Sequence, residues 1–163
     1  MRSAVPFLLS GVVVLSACST KPKRAPSPPS GPITELHILA LPTALNLDDR
    51  PGPDAAAVKV YAIPQGSARA GLIREGTLEV LAYPGTLDLT QELPAPFHTW
   101  TFTPADLVPF RFEAALGTGY NLVLSCAPKA FPNERLTLVG RYLLRPDARP
   151  VYSPPNVVAA SFQ

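Results

Sequence analysis

The sequence predicts an all-β fold, a single antiparallel β-sandwich of about seven to eight strands with at most one short helix. Proline is abundant, with 21 residues scattered along the 163-residue chain, and proline interrupts long helices. Apolar residues recur with a period of two in runs of strand length, which places one side of each run in a core. Clusters of Pro, Gly, Asn and Asp separate these runs, as turns do between strands.

Residues 1–17 have the pattern of a signal peptide for export. One positive charge is followed by an apolar run of eleven residues, and small residues precede Cys18. Such a run is too short to cross a bilayer, which requires about 20 helical residues. The sequence Leu15-Ser16-Ala17-Cys18 resembles the lipobox of bacterial lipoproteins. The resemblance implies that residues 1–17 are removed and that Cys18 is lipidated with acyl chains such as palmitate.

A lipidated Cys18 implies an anchor in the bacterial cell envelope. Two or more acyl chains hold a protein stably on a bilayer, whereas one chain does so only marginally. Ser19 follows the cysteine, and in the lipoprotein family a residue other than Asp at this place favours the outer membrane. We therefore expect a lipid-anchored protein of the outer membrane that faces the periplasm.

Residues 18–32 are expected to form a disordered tether behind the lipidated cysteine. Residues 19–32 contain five prolines and no large apolar side chain, so they cannot bury enough surface to become ordered. At about 3.1 Å per residue, an extended tether of this kind spans up to roughly 40 Å. Its basic residues Lys21, Lys23 and Arg24 either attract anionic lipid headgroups or only keep the tether soluble.

Removing residues 1–17 from the 163-residue chain leaves 146 residues, enough for one domain. Residues 33–163 are expected to form this domain, a β-sandwich. This part holds ten basic and twelve acidic side chains, a net charge of −2. Nucleic-acid binding requires a basic face that neutralises phosphates, so the charge excludes that class of function.

Seven runs within this domain are predicted to be strands. Alternation places Val58, Val60 and Ala62 on a core side, and His98 to Phe102 places Trp100 and Phe102 together on another. The predicted strands are residues 33–41, 58–63, 77–83, 98–102, 120–126, 135–144 and 156–162. Thr103 and Pro104 predict the N-cap and first residue of one short helical turn, and residues 117–119 predict hairpin geometry. The pattern favours a transthyretin-like or immunoglobulin-like arrangement.

Several large side chains fall opposite the predicted core positions. They are Tyr61, Ile63, Leu81 and Tyr83. The favoured interpretation is that loops bury them, and the alternative is that they form a protein-binding patch.

The second cysteine, Cys126, has no partner in the chain if Cys18 is lipidated. It is the last residue of the apolar run Leu122 to Cys126, and no basic residue flanks it to lower its pKa. A buried, unreactive thiol is therefore predicted.

Catalytic, cofactor and metal sites are not predicted. The two histidines, His37 and His98, lie in different predicted strands, and the chain has no sequence motif of a hydrolase, metalloprotease or nucleotide-binding loop. Asp48, Asp49 and Asp54 form an acidic loop, but three carboxylates supply too few oxygens for Ca²⁺, which takes six to eight. Turn formation is the favoured use of these residues.

A second resemblance lies at the acidic loop. The residues Asn46, Asp48, Asp49, Arg50 and Pro51, followed by the run Ala57-Val58-Lys59-Val60-Tyr61, are similar to those of the outer-membrane lipoproteins of type VI secretion systems. The similarity covers roughly 16 residues. It implies a partner, the periplasmic part of an inner-membrane protein.

We therefore expect a non-enzymatic envelope lipoprotein. Its lipid partner is the bilayer, reached through Cys18, and its β-sandwich binds a protein partner, as part of a secretion or envelope assembly. The alternative is a sandwich that binds a small ligand or carbohydrate, with Trp100, Tyr120 or Tyr142 as a stacking surface.

Overall fold

The structure, a computed structural model, describes residues 29–88, 93–132 and 134–160. The predicted signal peptide, Cys18 and the tether up to residue 28 lie outside this part of the chain. The described residues form nine strands, one α-helix and one 3-10 turn. The strands are β1 (Ile33–Ala40), β2 (Ala55–Pro64), β3 (Thr77–Pro84), β4 (His98–Phe102), β5 (Arg111–Ala114), β6 (Gly117–Ser125), β7 (Arg135–Leu143), β8 (Val151–Tyr152) and β9 (Asn156–Ala159). The helix α1 (Pro104–Leu107) runs directly into the 3-10 turn (Val108–Phe110).

The strands form two antiparallel sheets, which confirms the predicted all-β sandwich. The first sheet has four strands in the order β1-β2-β6-β5. The second has five, in the order β4-β3-β7-β8, with β9 also paired to β7. Nine strands replace the predicted seven to eight, because β5 and β8, of four and two residues, are additional.

The core lies between the two sheets and contains the predicted inward positions. Val58, Val60 and Ala62 of β2 are buried, and so is the corresponding alternate set of β3, Leu78, Val80 and Ala82. A single buried cluster joins side chains from both sheets. Burial of these apolar side chains is the main stabilising contribution to the fold.

One edge of the sandwich is covered by the link between β4 and β5. Thr103 caps α1 through its hydroxyl and Pro104 is its first residue, as the sequence predicted. The Asp106 carboxylate in turn accepts from the Thr103 backbone N–H at 2.8 Å. Trp100 and Phe102 are half-buried here and pack against the core from the edge strand β4. The Trp100 indole N–H donates to the Ser125 carbonyl at 2.8 Å and so joins the two sheets.

The opposite edge is covered by the chain that leaves β1. The backbone N–H of Ala44 donates to the Ala159 carbonyl at 2.7 Å, and that of Ala159 donates to the Pro42 carbonyl at 2.8 Å. These two bonds join the chain after β1 to β9 and so connect the first sheet to the second on this side.

The strand bounds differ from the predicted ones at several ends. β2 begins at Ala55 and β6 at Gly117, so residues 117–119 belong to the strand. The predicted hairpin geometry is present, with Ala114 paired to Gly117 across a two-residue loop. None of the helices among the described residues is long and apolar enough to cross a membrane.

Candidate functional site: the outer face of the first sheet

The outer faces of the two sheets differ in how they are covered. On the second sheet, Leu81, Tyr83 and Val139 form a small buried cluster, and Leu87 from the loop after β3 packs against it. Beside this cluster the Glu79 carboxylate forms an ion pair with Arg141. Loop and ion pair together keep large apolar side chains of β3 and β7 away from solvent.

The outer face of the first sheet leaves comparable apolar side chains in solvent. Leu39 is 52% exposed, Leu41 51% and Val123 55%. Leu39 lies on β1, Leu41 directly follows it, and Val123 lies on β6. We call the surface formed by Leu39, Leu41, Ala57, Lys59, Asn121 and Val123 the open face.

Strand pairing arranges the open face in cross-strand rows. In the upper row the Leu41 N–H donates to the Ala57 carbonyl at 2.9 Å, and Ala57 pairs with Val123. The middle row is Leu39, Lys59 and Asn121. The third row, below the open face, begins at His37, which pairs with Tyr61. One basic side chain therefore lies between apolar surfaces on both sides.

Two hollows lie on this side of the sheet. The upper hollow, of about 440 Å³, is lined by all six residues of the open face, Lys59 and Asn121 included. The lower hollow, of about 270 Å³, is lined by His37 and Leu39 together with Tyr61, Ile63 and Leu116. Leu39 lines both hollows, so they are adjacent, and we call the two together the groove.

An aromatic pair supports the lower end of the groove. The rings of Tyr61 and Phe112 meet edge to face with centroids 5.8 Å apart. Gly119 lies opposite Phe112 in the register, and a Cβ there would come within 2.8 Å of both rings. The Lys59 ammonium lies 5.7 Å from the Phe112 ring centre, within the range of a cation–π interaction.

The structure decides between the two interpretations of the outward-facing side chains. Tyr61, Leu81 and Tyr83 are buried, as the favoured interpretation predicted, and Ile63 is half-buried. The exposed apolar side chains are Leu39, Leu41 and Val123, which the sequence analysis did not identify. A signal was present: Leu122-Val123-Leu124 is apolar without interruption, so a strand with Leu122 and Leu124 inward must point Val123 outward.

The acidic loop is ordered by its own side chains. Asp48 accepts from the Arg50 N–H at 2.9 Å, and the buried Asp54 accepts from the Leu47 N–H at 2.8 Å. The Arg50 guanidinium donates to the Pro128 carbonyl at 3.1 Å, which ties the loop to the segment after β6. These bonds are the turn-forming use of Asp that the sequence favoured. Asp49 is exposed, and among the described residues no three His, Cys, Asp or Glu side chains are grouped as metal ligands would be.

Cys126 is buried, as predicted, and it is a free thiol among the residues that the structure describes. Burial raises the pKa of its thiol to about 11, and the nearby charge of Asp54 acts in the same direction. The thiol is therefore neutral near pH 7, which makes it a poor nucleophile.

The residues expected to offer a stacking surface lie mainly in the core. Tyr120 and Tyr142 are 2% and 3% exposed, and each hydroxyl is bonded to backbone. Trp100 is half-buried with its ring centre 4.6 Å from that of His98. His37 lies instead on the first sheet, 3.5 Å from the Glu35 carboxylate, so the structure does not bring the two histidines together.

The open face, with its groove and its single lysine, is the feature of the described residues that is most unlike an ordinary solvated sheet surface. Comparisons of the chain with protein-family models, with curated proteins and with solved structures find no match, so the open face is characterised by its geometry alone.

Proposed function

We propose that this chain is a lipid-anchored envelope lipoprotein whose non-enzymatic β-sandwich binds a protein partner through the open face. The observation that carries the proposal is the contrast between β3 and β7 of the second sheet and β1 and β6 of the first, since the exposed Val157 and Tyr152 of the second sheet lie on its short strands β9 and β8. Leu81, Tyr83 and Val139 are buried on one outer face, whereas Leu39 and Val123 are half exposed on the other.

The exposed side chains supply a favourable free energy for association. Burying a large aliphatic side chain completely contributes about 1.5–3 kcal/mol, so covering the remaining exposed halves of three such residues contributes a few kcal/mol. Contiguous apolar surface of this kind on a soluble domain commonly marks an interaction site. The flat, open shape of the groove suits a protein segment better than an enclosed small molecule, which needs a concave pocket.

The sequence supports the anchored part of the proposal. The lipobox resemblance at Leu15 to Cys18 implies acylation, and Ser19 favours the outer membrane, with the domain in the periplasm. The similarity of the acidic loop to type VI secretion lipoproteins supports a partner within a secretion or envelope assembly. Leu47 in that loop is 56% exposed, so the loop also offers an apolar side chain to a partner.

Site-specific crosslinking in cells tests the proposal. A photoreactive amino acid at Val123, on the open face, is expected to give a discrete crosslinked envelope protein from the membrane fraction. Val157 is the matched control, because it is also an exposed valine, 48% against 55%, but lies on β9 of the second sheet. Cys18→Ser is expected to move the protein out of the membrane fraction and to abolish the crosslink.

Two results would contradict the proposal. Equal crosslinking from Val123 and Val157 would show that the open face is not the binding surface. Recovery of the native protein as a soluble species with unmodified Cys18 would refute the anchor.

A further inference from the structure

We infer that the partner presents an extended segment in which an acidic side chain lies between two apolar side chains at alternate positions. This inference rests on the proposed function and concerns the same surface. The acidic side chain pairs with Lys59, and the two apolar side chains enter the hollows on either side.

Lys59 requires an anion from the partner. It lies at the centre of the open face, and among the described residues no ion pair satisfies its ammonium group. Glu35, on the outer side of β1, contacts His37 at 3.5 Å, and Glu113 lies on the other side of the sheet, where it accepts from the buried Thr118 hydroxyl at 2.8 Å. Covering the face without an anion would leave a desolvated charge, which costs far more than the apolar contacts contribute.

The side-chain position of Lys59 is restricted before any partner arrives. Its ammonium lies 5.7 Å from the centre of the Phe112 ring, and the ring is held by Tyr61. A lysine held over a ring loses less conformational freedom on binding than a free one, which favours a directed contact.

The spacing of the groove matches the repeat of an extended chain. The rows of Leu41, Leu39 and His37 follow one another in steps of two residues along β1. The upper hollow lies over the first two rows and the lower hollow over the last two. Each such step is roughly 6.6 Å, which is also the distance between alternate side chains of an extended segment. A segment aligned with β1 therefore places one side chain over each of the three rows.

A second copy of this chain is a poorer occupant of the groove. In a two-fold symmetric contact centred on the open face, each residue near the axis meets its own counterpart. Lys59 lies at the centre, so the two ammonium groups would approach each other. Like charges that face each other directly are destabilising.

Peptide selection tests the inference without a known partner. A phage-displayed library of random twelve-residue peptides is selected on the full-length acylated protein in detergent micelles, and the bound peptides are sequenced. We expect a shared pattern of apolar and acidic residues at alternate positions. Fluorescence anisotropy then measures the affinity of a selected peptide for the wild type and its variants.

Lys59→Glu is expected to weaken peptide binding roughly tenfold or more, because it replaces attraction by repulsion. A peptide with lysine in place of its acidic residue is expected to recover affinity for Lys59→Glu. Lys129→Glu is the matched control, since Lys129 is also exposed but lies in the loop after β6, and it is expected to leave the affinity unchanged.

The outcomes separate this inference from the proposed function. If Val123→Ser abolishes peptide binding while Lys59→Glu does not, the open face binds a partner but the acidic contact is wrong. If neither substitution changes binding and Val123 gives no specific crosslink in cells, both proposals fail. If sedimentation shows a dimer that Val123→Ser dissociates, the occupant is a second copy and the inference is overturned.

Discussion

A single side chain, Cys126, couples the stability of the sandwich to alkaline pH. Its pKa rises from 9.0 to about 11 in the folded protein, first because of burial and then because of Asp54. Below pH 9 the thiol is neutral in both folded and unfolded chains and contributes no pH dependence. Between pH 9 and 11 the unfolded thiol ionises first, so the free energy of unfolding falls as pH rises.

Replacing this thiol should remove that part of the pH dependence. Cys126→Ala is expected to lower stability at pH 7, because it leaves a small cavity, but to flatten the decline between pH 9 and 11. Urea unfolding of both proteins at pH 7, 8, 9 and 10 measures the effect. The raised pKa values of Tyr83, Tyr120 and Tyr142 add a decline above pH 10 in both proteins, so the comparison uses the difference between them. Parallel curves for wild type and variant would contradict the assignment.

The strand elements show which parts of the fold a sequence can reveal. β2, β3 and β7 were predictable because each is eight to ten residues long, enough for side chains to alternate several times between the core face and the outer face. β5 and β8 were not, because strands of four and two residues lie at sheet margins, where too few residues alternate to give a pattern. Their pairing partners, β6 and β7, determine them through tertiary contacts.

The same reasoning explains why the open face was missed although the fold was predicted. Val123 and Leu81 are both outward apolar residues within apolar runs. Whether such a residue is buried depends on the path of the loops around it. Leu87, in the loop after β3, packs against the cluster that contains Leu81, whereas Val123 is half exposed. Local pattern carries no information about that path.

Strand β6 is also where the aromatic support of the groove can be tested. Gly119→Ala places a Cβ within 2.8 Å of the Tyr61 and Phe112 rings, so one ring must move. We expect a loss of about 1–3 kcal/mol in the free energy of unfolding, as for other overpacked sites. Asn121→Ala, an exposed substitution two residues along the same strand, is expected to change it by less than about 0.5 kcal/mol. Equal stability of the two variants in urea unfolding would show that the rings adjust freely.

At the scale of the whole molecule, the two sheets share one core and are also joined through a side chain. The buried cluster includes members of both sheets, and the Trp100 indole on β4 donates to the Ser125 carbonyl on β6. Separation of the sheets must therefore break this bond and expose the core in the same event. Trp100 is the only tryptophan of the chain, so its fluorescence reports on the contact between the sheets without interference.

We therefore expect unfolding to be a single cooperative transition. Thermal curves from Trp100 fluorescence and from far-ultraviolet circular dichroism should coincide, because sheet separation and loss of strand structure are one event. Trp100→Phe keeps an aromatic ring at the edge but removes the indole N–H donor. The melting temperature of this variant, followed by circular dichroism, is expected to fall by a few degrees, which corresponds to roughly 1 kcal/mol in a domain of this size. A fluorescence transition clearly below the circular dichroism transition would mean that the β4 edge opens independently. In that case Trp100 would belong to a mobile margin of the second sheet. The open face lies on the side of the first sheet away from the core, so it would keep its shape only while β6 remained paired with β2.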